Sequence, residues 1–134
     1  MAAISQYLTA QMLNWVFNGA AATQPTKWGI GLSLGSPTSI SGSEISTASG
    51  YARQTMAWGA AGTPTSSGTV TNASAVTFGP FSSAQSISGI LVWDTMLSAN
   101  SGNLLWFGLL GAARTVAIAD SLVLPTGSLL LTLT

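Results

Sequence analysis

Glu44, Asp94 and Asp120 are the only acidic residues in the 134-residue chain, and Lys27, Arg53 and Arg114 the only basic ones. Two carboxylates at a defined separation would support glycoside hydrolysis, one giving a proton while the other attacks or activates water. Three acids converging on one loop would hold calcium. The spacing favours neither, because Glu44 falls in a loop of small residues, Asp94 at the end of an apolar run and Asp120 in a turn segment. Asp94 and Asp120 read as turn residues that accept local backbone hydrogen bonds. Arg53 stands inside a strand-like run, where a buried cation must be paired. Glu44, or a carboxylate of a neighbouring subunit, is its expected partner, and Glu44 and Arg53 are therefore candidate interface residues.

The chain has no histidine and no cysteine. Disulfides, thiolate and imidazole metal sites, and histidine-based acid/base catalysis lose their usual carriers at once. We expect no catalytic residues, no metal, no cofactor and no enzymatic activity. Three scattered cations cannot form the basic stripe that phosphates require, so nucleic acid is not an expected partner. A membrane is not expected either. Hydrophobic residues make up 47% of the chain, but the longest apolar run, Leu104 to Ala113, is about half of a spanning helix and ends at Arg114. Residues 1–18 lack a basic n-region and carry Ser5, Gln6, Gln11 and Asn14 where a signal peptide would be apolar. The strands of a transmembrane barrel would leave a similar alternating record.

The elements that position these residues begin with a helix. Ile4, Leu8, Met12 and Val16 recur every four residues, Leu13 and Phe17 widen the stripe, and Asn18-Gly19 supplies a stop, which predicts one helix over residues 3–17. Its apolar face accounts for packing on the domain's own sheet. A second account is docking on a neighbouring subunit, with Trp15 and Phe17 as anchors of the kind enriched at interfaces.

Past Gly19 the pattern becomes short strands punctuated by Gly, Pro, Ser and Thr. Lys27 to Leu34 alternates with period two, and Tyr51 to Trp58 does the same. Between them, Gly35 to Gly50 is long enough to be either a contact loop or a flexible surface loop. Thr69 to Thr71 and Ala75 to Phe78 read as paired strands around a turn at Asn72, after a break at Pro64. Ser86 to Asp94 reads as the strongest central strand, because Ile90 to Trp93 is a continuous β-favouring run whose two faces should both be covered. Asn103 to Leu110 reads likewise, across a turn at Asn100-Ser101-Gly102. Ser121 to Leu124, a turn at Pro125-Thr126-Gly127 and Leu129 to Thr134 complete the chain. About eight short strands after one helix predict a single mainly β domain over residues 1–134, an antiparallel sandwich or barrel over 27–134 preceded by the N-terminal helix.

Trp28-Gly29-Ile30-Gly31-Leu32-Ser33, Gly42-Ser43-Glu44-Ile45 and Gly50-Tyr51-Ala52-Arg53-Gln54 occur in an order that resembles a family of small virion proteins of tailed bacteriophages. Gly68 to Asn72 followed by Ala75 to Phe78, Gly102 to Leu105, Asp120-Ser121-Leu122 and Gly127-Ser128-Leu129 are similar to its later landmarks. The resemblance implies a β-rich structural protein of the particle, either a head decoration or cement protein or a tail-associated one. The long apolar N-terminal helix and the scarcity of acidic residues depart from the family's pattern.

Charged residues are 4% of the chain, against about 25% in an ordinary soluble domain. A formal net charge of zero removes the repulsion that keeps copies of a monomer apart. The strands also lack the lysines that usually blunt sheet edges. The leading expectation is a capsid cement or decoration protein on the virion surface, held by apolar and main-chain contacts. Its expected partners are copies of itself, as a cyclic oligomer with a trimer favoured, and the major capsid protein or another virion protein. The alternative is a tail- or fibre-attached virion protein. A third reading, from another class, is a carbohydrate-binding module with Trp28, Trp58, Trp93 and Trp106 as stacking faces, although their apolar neighbours favour core roles.

Overall fold

The computed structural model describes residues 2–21, 23–61, 68–97 and 101–133. The expected breaks at Pro64 and Asn100 lie outside them. The chain opens with a short strand, β1 (Ala2–Ile4), followed by α1 (Gln6–Phe17). Ser5 separates the two, accepting from the Leu8 N–H at 3.1 Å as an N-cap. Its backbone N–H and its hydroxyl also donate to the carbonyls of Leu105 and Leu104, fixing the start of the helix to the sheet. The predicted helix thus begins three residues late, because Ile4 satisfies a four-residue spacing while lying in a strand. Its stop is as read: the Asn18 N–H caps on Asn14, and Gly19 follows in the left-handed region at φ 64°.

The remaining strands are β2 (Gly29–Ser33), β3 (Gln54–Thr55), β4 (Gly68–Thr71), β5 (Val76–Phe78), β6 (Gln85–Trp93), β7 (Leu104–Val116), β8 (Leu122–Leu124) and β9 (Leu130–Leu133). They form a five-stranded sheet in the order β1-β7-β6-β2-β3 and two ribbons, β4-β9 and β5-β8. Every pairing is antiparallel. The mainly β class with one N-terminal helix agrees with the sequence reading. The segment expected as a strand over Tyr51 to Trp58 keeps ladder geometry only at β3 and at a single bridge from Trp58 to Asn72.

The register explains the apolar run of β6. Ile90 and Val92 face Leu32 and Ile30 across the β2–β6 ladder and join the main core, with Val76, Phe78 and Leu131 arriving from the ribbons. Leu91 and Trp93 point to the opposite face and form a second cluster with Leu104. Both faces are therefore covered, as the unbroken run predicted. β7 is longer than expected and its outer half is exposed. Leu109 pairs with Gly89 and Arg114 with Ile87, so β7 carries extra residues between these two pairs and bulges away from β6.

The local hairpin predicted around Asn72 does not form, and the strands on either side of the Pro125-Thr126-Gly127 turn do not pair with each other. β4 and β5 flank Asn72, and β8 and β9 flank a turn in which the Ser128 N–H donates to Pro125, but the partners are exchanged: β4 pairs with β9 and β5 with β8. Asn72 locks this exchange from a buried position. Its side-chain amide donates to Ser74 at 2.9 Å and Pro125 at 2.7 Å, and its amide oxygen accepts from the Leu129 N–H at 2.9 Å. Asn72→Ala leaves those backbone groups without their partner, and unpaired buried groups cost about 1–3 kcal/mol each. Chemical denaturation should show the variant destabilised by at least about 2 kcal/mol, with the far-ultraviolet spectrum of the native state retained.

Candidate functional site

The charged residues singled out by sequence separate into two groups. Glu44 and Arg53 meet inside the subunit, with both side chains fully shielded from solvent. The Arg53 Nε donates to Glu44 Oε1 at 2.7 Å and its Nη2 to Oε2 at 2.6 Å, a bidentate fork. Its Nη1 donates to the carbonyls of Thr95 and Ser101, binding the ends of β6 and of the segment leading to β7. The guanidinium carbon stands 4.2 Å from the centroid of the Trp93 ring, in cation–π contact.

Local sequence makes room for this pair. Ser33 and Glu44 form an antiparallel bridge, and the Ile45 N–H donates to the Leu32 carbonyl, so the loop expected over Gly35 to Gly50 folds back along the part of β2 that β3 leaves unpaired. The alternation of β2 places Gly29 and Gly31 under the pair. A Cβ at Gly31 would fall 2.8 Å from both Glu44 Oε1 and the Tyr51 hydroxyl, and one at Gly29 would fall 2.9 Å from Arg53 Cδ. The strand expected to alternate between buried and exposed is buried throughout for this reason.

Tyr51 completes the cluster. Its ring stacks on Phe78 with centroids 6.2 Å apart, its hydroxyl donates to Glu44 Oε1 at 2.7 Å, and it accepts from the Leu32 N–H at 3.0 Å. Burial, followed by the hydrogen bond to the Glu44 carboxylate and that group's charge, raises the phenol well above its ordinary value of 10.0.

Asp94 and Asp120 have the turn roles read from sequence. Asp94 Oδ1 accepts from the Asn103 N–H at 2.8 Å and Oδ2 from the Asn103 amide at 2.7 Å, while Asp120 Oδ2 accepts from the Ala117 N–H at 3.0 Å. Among the described residues, acidic side chains do not gather into a group of three that could hold a metal ion. Among the described residues, no helix is long and apolar enough to cross a membrane.

A groove of about 790 Å³ opens between α1 and the sheet. Leu8, Met12 and Trp15 of α1 form one wall, and Trp28, Trp58 and Trp106 line it from the sheet and its loops. Of the four tryptophans considered for stacking, Trp93 alone is committed elsewhere, against Arg53. No local pattern signals that the other three share one cavity with Tyr7, Gln11 and Gln24, because their separations along the chain are long and irregular. Trp15 and Phe17, the predicted anchors, are 60% and 77% exposed.

A family model described as podophage GP4 fiber I protein gp80 matches residues 3–132. The match spans almost the whole chain, and the chain belongs to this family of small phage virion proteins. Its place is accordingly in the bacteriophage particle, among fibre-type structural proteins. None of the curated proteins matches it.

Glu44→Gln and Arg53→Met each leave one buried charge without its partner and should destabilise the fold by about 3–5 kcal/mol. The double variant Glu44→Leu/Arg53→Met removes both charges together and should recover a large part of that loss in urea denaturation, the pattern expected of a buried pair.

Tyr51 predicts an alkaline limit. The folded state keeps a phenolic proton that the unfolded chain releases near pH 10.0. Stability is therefore fully present below that pH and declines above it, with a slope approaching about 1.4 kcal/mol per pH unit for one proton. Denaturation series between pH 8 and 11 should show this slope in the native chain and its absence in Tyr51→Phe, which starts from a lower but flatter stability.

Proposed function

We propose that this chain is a non-catalytic structural component of the phage fibre apparatus, assembled with copies of itself and with another virion protein through apolar and main-chain contacts. The observation that carries the proposal is the state of α1. A helix that is apolar on most of its circumference belongs in a covered environment, yet α1 contains no buried residue. Leu8 and Met12 face the groove, while Leu13 and Phe17 lie on the other side of the helix at 52% and 77% exposure. That outer face is the docking surface for a neighbour, with Phe17 as its anchor and Trp15 at the groove margin. Glu44 and Arg53 serve the docked state indirectly, by holding the loop and strands on which the subunit's shape depends.

The fibre family favours this reading over capsid cement. A decoration protein would use the same neutral, apolar surface, and copy number separates the two. Mass spectrometry of purified particles should give from a handful to a few dozen copies for a fibre component, whereas hundreds would transfer the chain to the shell. Cyclic oligomers, trimers first, are the expected assembly units.

Leu13→Ser/Phe17→Ser should fold with an unchanged denaturation midpoint, because neither side chain is buried, and should be depleted about tenfold or more from particles assembled in its presence. Attachment of the native chain should persist at about 1 M NaCl, where charges are screened beyond roughly 3 Å. Release at that salt, or normal incorporation of the double variant, would count against the apolar face as the docking surface.

A further inference from the structure

The geometry points to the groove between α1 and the sheet as a binding site for a neutral oligosaccharide. Trp28, Trp58 and Trp106 line it, and all three are half-buried and packed on the main core. Indoles seated in this way are rigid and offer flat apolar area at little entropic cost. The CH face of a pyranose ring matches such a surface in shape and polarity. Gln11 and Gln24, both exposed, add amides that donate and accept, as sugar hydroxyls require. At about 790 Å³ the groove is within the range of sites that enclose most of a small ligand.

Other ligand classes fit less well. An acyl chain would desolvate the two glutamine amides and the Asp94 carboxylate without replacing their hydrogen bonds. Nucleic acid bases also stack on indoles, but their phosphates need cations, and no lysine or arginine lines the groove among the described residues. A quaternary ammonium group also stacks on indoles, but it has no donor or acceptor to offer the two glutamine amides, which sugar hydroxyls do. Asp94 is the charged residue of the lining, which disfavours acidic sugars.

The test is binding by the purified full chain, and its outcome is independent of where the chain sits in the particle. Tetrasaccharides of β-1,4-linked glucose, α-1,4-linked glucose and β-1,4-linked N-acetylglucosamine are titrated with tryptophan emission and calorimetry as readouts, with choline and octanoate as contrasting probes. At least one tetrasaccharide should bind and shift the emission. Trp58→Ala should weaken that binding about tenfold or more and Gln24→Ala about threefold or more. Gln24 is exposed, so its variant keeps the fold and remains readable if Trp58→Ala does not. The inference is overturned if none of the tetrasaccharides binds, if choline or octanoate binds in their place, or if tetrasaccharide binding survives both substitutions unchanged.

Discussion

The fold depends on the buried ion pair between Glu44 and Arg53. Glu44 arrives from a loop and Arg53 from the segment before β3, and neither position belongs to a long ladder that would fix it independently. Their bidentate contact draws the loop onto the edge of β2, and the remaining guanidinium nitrogen draws in the backbone beyond β6 and before β7. Taking two charges out of water is costly, and the gain here comes from completeness: a two-point fork, two carbonyl acceptors, a tyrosine hydroxyl and an indole face surround the pair. Such a cluster is intolerant of partial formation, so it selects one arrangement of these segments over others that would bury as much apolar surface.

The same cluster explains why β2 is rich in glycine. Glycine costs a strand entropy and packing, and in most strands Gly29 and Gly31 would mark weakness. Here they let the pair lie directly on the backbone of β2, where a methyl group would collide with Glu44, Tyr51 or Arg53. The entropic cost is offset by tight pairing with β6 over all five residues of β2.

What could be read from the sequence divides along the range of the interactions involved. The run Ile90 to Trp93, the stop at Asn18-Gly19 and the turn roles of Asp94 and Asp120 are properties of neighbouring residues, and these were legible. The Arg53–Glu44 contact was legible for another reason: a mid-strand cation in a chain with three acids has few partners to choose from. Partner exchange between β4, β5, β8 and β9 was not, since each turn is compatible with a local hairpin and the choice is made by Asn72 bonding to residues more than fifty positions away. β1 was hidden because Ile4 fits the helical stripe, and only the anchoring of Ser5 to the β7 backbone ends the strand there. The groove is assembled from residues between positions 7 and 131, and no local spacing records it.

With Glu44 and Arg53 neutralised inside, and Asp94 and Asp120 closing turns, the exterior of the described residues is left with very little charge to present to a partner. Electrostatic complementarity mainly speeds encounter and rejects wrong partners. A surface without it associates at ordinary unsteered rates, about 10⁵–10⁶ M⁻¹s⁻¹, and must obtain specificity from shape and from backbone hydrogen bonding. That is a poor design for a transient signalling contact. It suits a component that docks once during particle assembly, where affinity resides in slow dissociation and where changes of salt outside the host should leave the contact intact. The exposed outer half of β7 and the outer face of α1 provide apolar area and unpaired strand edge for contacts of that kind.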